Sequence, residues 1–177
     1  GFWVTNYIKF KSDALLDLAT ECLALAEKRG TLVPLMLGHR LMGTSLMCTG
    51  ALAESRAHYD QAIAIYEPAE HRALAARFGQ DMRVAALSYR SWALWLLGFP
   101  EAAGRDAEPA LKEAREIGQA ATLMYALFHT SFTHVFCGNY AAASAEANEL
   151  VPLADERGSL FWGSLGMLVQ GCVLALT

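Results

Sequence analysis

The sequence predicts an all-α protein: a right-handed solenoid of antiparallel helix hairpins with a period of about 40 residues and about nine helices. The chain of 177 residues contains 31 Ala and 26 Leu but only 11 Val and Ile together, which favours helix over strand. Turn-like glycines recur at a fixed interval, and between them apolar residues recur at helical spacing. So apolar a chain buries enough surface to offset its ordering entropy, which excludes disorder.

Glycine at a helix end is the signal that sets the period. The glycines of this kind are 20 residues apart, or 48 in one interval, and are Gly30, Gly50, Gly98, Gly118, Gly138 and Gly158. If eight residues are inserted in the interval of 48, every spacing is a multiple of 20. The repeat unit is therefore a pair of helices, joined by connections short enough to make neighbouring helices antiparallel.

These marks divide the chain into an N-terminal stub and eight helices. In order they are 2–10, 12–29, 31–49, 51–67, 81–97, 99–117, 119–137, 139–157 and 159–176. Ser12, Thr31 and Pro100 are residue types that favour helix starts. The first full helix is expected to bury one stripe, formed by Leu15, Leu18, Cys22, Leu25 and Ala26.

Prolines and small residues add detail to this reading. Pro109 and Pro152 fall inside predicted helices, so a kink or break is expected just before each, because proline removes a backbone hydrogen bond. Small residues recur seven positions before the turns, at Gly43, Ser91, Ser131 and Gly171. Such positions let two helix backbones approach closely, as they do in tetratricopeptide repeats, whose usual period is about 34 residues.

We expect one helical repeat domain over residues 1–177, which would be a fragment of a longer chain, with an inserted loop at 69–80. The last helix has no charged residue, and the first segment is also apolar, with Phe2, Trp3, Tyr7, Ile8 and Phe10. A solenoid normally needs polar caps to stay in solution. Either further repeats or a second copy would cover these ends, and the second option predicts a homo-oligomer.

Charge and leader patterns exclude several classes of partner. The net charge is −4 and the pI about 5.7, with no run of Lys or Arg, so neither nucleic acid nor a membrane is an expected partner. The N-terminus does not read as a signal peptide, and the uncharged stretch 117–145 holds too many polar groups for a membrane span. The four cysteines have no metal-ligand spacing and are expected to be buried thiols in a cytoplasmic protein.

Three segments carry a family resemblance: GHRLMGTSLMCTGALAESRAHYDQAIAIYEP, HRALAARFGQD and VAALSYRSWALWLLGFPEAA. They resemble the tetratricopeptide-type helical region of large bacterial proteins that join a class III adenylate or guanylate cyclase domain to a P-loop ATPase module. The resemblance covers about residues 15–162. Its most specific parts are His71 with Arg72, the run FGQD at 78–81 and the run WALWLLG at 92–98.

The resemblance implies that the catalytic domains lie N-terminal to this region. The chain itself contains no GxxxxGK[ST] phosphate loop and no strand-borne aspartate pair for metal ions, so we expect no enzymatic activity, cofactor or metal in it. His129 and His134 are five residues apart, on different sides of a helix, and are expected to be core or interface residues and not metal ligands.

Two groups of residues are candidates for binding a partner. Trp92, Trp95 and Phe132 belong to an aromatic set, completed by Phe128 and Phe136, on the first helices of two successive pairs. Core packing or an apolar groove both explain this set. Arg40 and Arg90 are expected near the same surface, where they would contact an acidic partner.

The second group lies in the insertion, because insertions in repeat proteins often form loops on the binding face. It consists of His71, Arg72, Gln80 and Asp81, which would hold a partner or a small anion, or instead cap helix ends.

The main functional hypothesis is a non-catalytic scaffold for protein–protein interaction and regulation in a signalling protein of the cyclase–ATPase type. Its partner would be another domain of the same polypeptide or a partner segment. The alternative is a small-molecule sensor domain, as in some ATP-dependent transcription activators. The aromatic set and the insertion motivate this alternative.

Overall fold

The computed structural model describes residues 2–9 and 11–177, and within these ranges the chain is helical and has no strand. The long helices are α2 (Ser12–Arg29), α3 (Leu32–Thr49), α4 (Leu52–Ile65), α7 (Met82–Leu96), α8 (Pro100–Ile117), α9 (Ala120–Phe136), α10 (Tyr140–Glu156) and α11 (Leu160–Leu176). The stub is α1 (Phe2–Ile8), and Phe10 lies outside the described residues. The prediction of an all-α helical repeat is confirmed.

The long helices form two layers. The first layer is α3, α7, α9 and α11, which contact one another in that order, and the second is α2, α4, α8 and α10. α4 lies against both α3 and α7, α8 against α7 and α9, and α10 against α9 and α11. The core between the layers is rich in buried alanines, among them Ala85, Ala86, Ala103, Ala107, Ala110, Ala114, Ala143, Ala147 and Ala154. α1 lies against α2 and reaches α3 and α7 through Trp3 and Tyr7.

The glycines that gave the period end helices as expected. All six have positive φ, from 64° at Gly30 to 87° at Gly98, and so does Gly79, which the periodicity did not include. Residues with a Cβ rarely adopt this backbone conformation, which explains why glycine recurs at these helix ends. The amide of Gly30, for example, donates to the carbonyl of Ala26, which would otherwise lack a partner at the helix end.

Close approach between α3 and α4 depends on Gly43. A Cβ at this position would lie 2.8 Å from the ring of Tyr59. The Gly43 carbonyl also accepts a hydrogen bond of 2.7 Å from the hydroxyl of Ser55. One repeat later, Ser91 Oγ and Thr133 Oγ1 share a hydrogen bond of 2.7 Å between α7 and α9. Gly171 has no such neighbour, so the expected close approach is absent there.

The buried stripe of α2 is shifted from the predicted one. Leu15 and Ala26 are buried, but the residues between them on the buried face are Ala19 and Leu23. Leu25 is 59% exposed, so its predicted burial is wrong. Both sets of residues have helical spacing. Hydropathy favours the set that contains Leu18 and Leu25, but α2 packs closely through the small side chain of Ala19.

The sequence predicted a kink or break before Pro109 and Pro152; helices α8 and α10 continue through both prolines, so neither helix breaks there. Proline leaves the carbonyl four residues earlier without its backbone donor. These carbonyls belong to Arg105 and Asn148, both exposed, and water can donate to them in place of the missing N–H.

The segment 69–80 is not the irregular loop that the sequence predicted. It contains two short helices, α5 (Pro68–His71) and α6 (Ala75–Phe78), with a 3-10 turn (Arg72–Leu74) between them. Pro68 fits the first position of a helix, and the run 73–76 is rich in helix-forming residues. Because α4 contacts α7 directly, the stack continues past this segment.

The four cysteines also differ from the prediction of buried thiols. Cys22 and Cys172 are half-buried, while Cys48 and Cys137 are exposed, and all four are free. Among the described residues, no helix combines the length and apolar character needed to cross a bilayer.

Candidate functional site

The aromatic set predicted on α7 and α9 forms one continuous face. The Trp92 ring centroid lies 6.0 to 6.2 Å from those of Phe128, Phe132 and Phe136, and the Trp95 ring stacks on Phe136 at 4.7 Å. The Trp92 indole donates to the His129 carbonyl and the Trp95 indole to the Phe136 carbonyl, each at 2.9 Å. Since both indole N–H groups are used internally, the half-buried outer edge of this face is apolar.

A second group, the tyrosine–histidine cluster, lies beside the aromatic face and consists of Tyr7, Tyr59, Tyr89, Tyr125 and His129. Tyr89 is at its centre, with its ring centroid 6.2 Å from Tyr59 and from Tyr125 and 4.8 Å from His129. The Tyr7 and Tyr89 hydroxyls share a hydrogen bond of 2.8 Å. The cluster therefore joins α1, α4, α7 and α9. The sequence did not predict the whole cluster: Tyr89 and His129 are one 40-residue period apart, but Tyr7 and Tyr59 follow no repeat spacing.

Arg40 projects from α3 into this cluster and is only 7% exposed. Its charge lies close enough to Tyr7, Tyr59, Tyr125 and His129 to influence the pKa of each. Among the described residues it has no carboxylate partner, and its Nε is buried without a hydrogen bond. Tyr125 Oη is also enclosed, with the Arg40 and Tyr89 side chains as its hydrogen-bonding neighbours. The expected surface arginine is instead an enclosed cation without a carboxylate partner among the described residues.

Burial determines the protonation states inside the cluster. It lowers the pKa of His129 to about 4, and the nearby positive charge of Arg40 acts in the same direction. His129 Nδ1 lies 2.7 Å from the Tyr125 carbonyl, which can only accept, so Nδ1 carries the proton of the neutral ring. Burial also raises the pKa of Tyr89 and of Tyr125, so these phenols remain neutral.

Arg90, the other predicted partner-binding arginine, is engaged within the chain. Its Nε and Nη2 contact the two carboxylate oxygens of Asp106 at 2.7 and 2.8 Å, and Nη1 contacts Asp60 at 2.6 Å. Although burial opposes its charge, these carboxylates raise the pKa of Arg90. The side chain thereby ties α4, α7 and α8 together.

The residues chosen in the insertion separate into buried and exposed groups. His71 is buried, and its Nδ1 accepts a hydrogen bond of 2.9 Å from the Glu67 amide. Arg72 is exposed and lies 3.3 Å from Glu116 on α8. Gln80 is half-buried.

Asp81 is buried, caps α7 and is hydrogen-bonded to residues of two other segments. Its Oδ1 accepts from the amides of Arg83 and Val84 at 3.0 Å each, which caps α7. Its Oδ2 accepts from the Tyr66 hydroxyl at 2.5 Å, and its own amide donates to Thr122 Oγ1 at 3.0 Å. Of the two roles expected for the residues of the insertion, partner binding or helix capping, Asp81 has the capping role.

Two further polar arrangements were not predicted from the sequence. The Nδ1 atoms of His39 and His58 lie 2.9 Å apart, so one must donate and the other accept. Next to an open groove of about 400 Å³ along α8, α9 and α10, Glu146 accepts from Thr130 at 2.7 Å and lies 3.2 Å from His134 Nε2.

The Thr130, Glu146 and His134 arrangement differs from a catalytic triad, in which the histidine stands between nucleophile and carboxylate. Here the carboxylate is in the middle: Glu146 contacts both the Thr130 hydroxyl and His134 Nε2. No group of three His, Cys, Asp or Glu side chains suited to a metal ion occurs among the described residues. No protein-family model matches the chain, and no curated protein matches it significantly.

Proposed function

We propose that this chain is a non-catalytic scaffold for protein–protein interaction and regulation. The observation that carries the proposal is the aromatic face of α7 and α9, whose outer edge continues into exposed apolar side chains. Leu96, one turn beyond Trp92, is 52% exposed, and Phe99 follows it at the end of the same hairpin. An exposed apolar surface on a rigid helical array is typical of a docking surface.

The occupant best suited to this face is the apolar side of an amphipathic helix. No acidic or basic side chain other than two histidines occurs in the runs 92–99 and 128–136, so the face offers apolar contact and no ion pairs. Helix-in-groove recognition depends on this kind of surface. We propose that the helix belongs to another domain of the same polypeptide.

The wider context is proposed from sequence resemblance alone. The FGQD and WALWLLG runs support placing the chain in a signalling protein of the cyclase–ATPase type, with a tetratricopeptide-like region and a cytoplasmic location. In that setting, docking on the aromatic face would change cyclase activity.

The test is binding between this chain and purified cyclase-type and ATPase-type domains encoded in the same reading frame. Leu96→Glu places a charge beside the aromatic face and should weaken binding by about tenfold or more, because an unpaired charge is costly to bury against an apolar partner. Leu25→Glu is the matched control, since Leu25 is similarly exposed but lies on α2 in the other layer. Absence of binding at every salt concentration, or equal loss in both variants, would contradict the proposal.

A second candidate function is that of a small-molecule sensor, which the enclosed Arg40, without a carboxylate partner among the described residues, favours. A ligand that binds only the folded chain raises its melting temperature. Thermal unfolding with a panel of metabolites tests this, and a panel without a single stabilising compound would contradict it.

A further inference from the structure

Two histidines on neighbouring helices hold their ring nitrogens close together. His39 on α3 and His58 on α4 are 19 residues apart in the sequence, yet their Nδ1 atoms lie 2.9 Å apart. Both rings are neutral in this contact, with the proton of one Nδ1 donated to the lone pair of the other. The two side chains are half-buried, so an ion from solution can reach them.

The packing of α3 against α4 fixes the separation of the two rings. His39 lies one turn before Gly43, where a Cβ would be 2.8 Å from the ring of Tyr59. His58 directly precedes Tyr59 and lies one turn after Ser55, whose hydroxyl donates to the Gly43 carbonyl at 2.7 Å. Because two closely packed helices carry them, the imidazoles are positioned before any ion binds, which lowers the entropic cost of binding.

We infer that His39 and His58 form a binding site for a late first-row transition metal ion, with Ni²⁺ and Cu²⁺ as the best fits and water completing the coordination. Imidazole nitrogen is a favoured ligand of these ions. Only two protein side chains would bind the ion directly, which agrees with the lack of any suitable three-residue group among the described residues.

The distance between the two nitrogens indicates which coordination geometry fits. Two ligands at about 2.0 to 2.1 Å from a metal ion and at right angles to each other have their nitrogens about 2.9 Å apart. Tetrahedral coordination, which Zn²⁺ prefers, requires about 3.3 Å. The observed 2.9 Å therefore matches neighbouring positions of a square or octahedral site. The ion lies to the side of the line that joins the nitrogens, so the rings need not separate to bind it.

The protonation states and the local charge also suit a metal ion. Burial lowers the pKa of His39 and of His58, so both rings are neutral at pH 7. The carboxylate of Glu27 on α2 is exposed and acts on both rings in the opposite direction, by favouring positive charge. A negative potential that favours a proton at the two rings also favours a metal cation there.

Metal binding requires a change of tautomer at one ring and no net loss of a proton. The ion takes the lone pairs of both Nδ1 atoms, so the proton that joins the rings must leave Nδ1. The same ring takes up a proton at Nε2, and both imidazoles stay neutral. A protonated histidine cannot bind the ion, so the affinity should fall as the pH is lowered.

This inference does not depend on docking at the aromatic face or on a sensor function. The test measures Ni²⁺ binding to the whole chain at pH 7.5 in a buffer without chelators, with Mg²⁺ as the comparison ion. We expect Ni²⁺, but not Mg²⁺, to raise the melting temperature in a saturable manner, because an ion that binds only the folded chain stabilises it. Since Ni²⁺ is paramagnetic, amide resonances around residues 39 and 58 should broaden first. The stabilisation should weaken at pH 5.

Single and double substitutions test whether the two histidines act as a pair. His39→Gln and His58→Gln should each lower the Ni²⁺ affinity by at least about tenfold, since losing even an outer partner of a metal ligand has an effect of this size. The double variant should lose little more than either single variant, because one imidazole alone cannot chelate the ion. His134→Gln is the matched control, since it removes a half-buried histidine of α9 and should leave the Ni²⁺ effect intact.

Several results would overturn the inference. These are no saturable effect of Ni²⁺ on the wild type, an equal effect of Mg²⁺, or a Ni²⁺ effect that persists in both single variants. Broadening that begins around the exposed Cys48 and disappears in Cys48→Ser would overturn it in favour of a thiol site. If either histidine variant does not fold, broadening in the wild type decides: an origin at residues 39 and 58 supports the site, and any other origin contradicts it.

Discussion

His129 shows how burial, helped by a nearby positive charge, can produce a pH-dependent stability. Its ring is 3% exposed and stays neutral in the folded chain because its pKa is about 4. In the unfolded chain a histidine takes up its proton near pH 6.5. Between these values the unfolded state binds more protons, so the stability contributed by neutral His129 is present above pH 6.5 and is lost as the pH falls towards 4.

We therefore expect His129→Phe to reduce the pH dependence of unfolding. Between about pH 7.5 and pH 4, the wild type should lose up to about 3 kcal/mol more of its unfolding free energy than the variant does. Urea denaturation at both pH values measures this difference. Arg105→Met should behave as the wild type, and an unchanged pH slope in His129→Phe would show that the histidine is protonated without cost.

At the scale of helices, the approach of α3 to α4 depends on a missing side chain. Gly43→Ala places a Cβ 2.8 Å from the Tyr59 ring. Because Tyr59 is fully buried and cannot move freely, we expect a loss of about 1 to 3 kcal/mol in unfolding free energy. Gly104→Ala in α8 meets no atom within 4 Å and should instead gain about 0.5 to 1 kcal/mol from helix propensity. Denaturation that affects both variants alike would contradict this account.

The start of α7 depends on Asp81 in the same local way. Asp81→Ala removes the cap and leaves the Tyr66 hydroxyl without its acceptor, so we expect a loss of about 2 to 4 kcal/mol. A double-mutant cycle with Tyr66→Phe measures the coupling between the two side chains. Additive effects of the two substitutions would show that the hydrogen bond between them contributes nothing.

These examples explain which parts of the helices the sequence could predict. Glycine with positive φ and proline at a helix start act through their own backbone, so the positions of the helices followed from local chemistry. The buried stripe of α2 depends on a neighbour, and alanine gives too weak a hydropathy signal to reveal that Ala19, and not Leu25, faces it. The short helices α5 and α6 could not be predicted, because the 48-residue interval between Gly50 and Gly98 indicates an insertion but not its structure.

In the molecule as a whole, each helix contacts only the helices next to it, which predicts that local stability differs along the chain. Helices α7 and α9 are covered on both sides, whereas α1 has no buried residue. In a stack of this kind, local opening begins where the fewest contacts hold a helix. We expect amide hydrogen exchange to be fastest in α1 and slowest in α7 and α9, and equal protection of α1 and α7 would contradict this.

Helix α11 leaves much of its apolar surface uncovered. Several remain exposed, among them Leu160, Phe161, Met167, Leu168 and Leu174. Exposed apolar surface of this kind favours association, so we retain the prediction of a homo-oligomer. Sedimentation should show self-association that Leu168→Glu weakens and Leu25→Glu does not. Identical sedimentation of both variants and the wild type would contradict it.

The candidate site could be predicted only where it follows the repeat. Trp92 and Phe132 are 40 residues apart, so the period itself placed them on neighbouring helices. Arg40 has no such relation to Tyr7 or Tyr125, and a helical arginine is normally exposed. Its burial results from contacts between helices distant in sequence, which no local pattern records.

The direct contact between α4 and α7 has a consequence for how this chain can vary. Since the two helices are joined by Arg90 and Asp60 as well as by packing, their contact does not depend on the length of the turns from Pro68 to Phe78. Natural variation in length at the exposed positions of these turns would leave the helices before and after them in register, so insertions and deletions should be tolerated there better than in the short connections between other neighbouring helices.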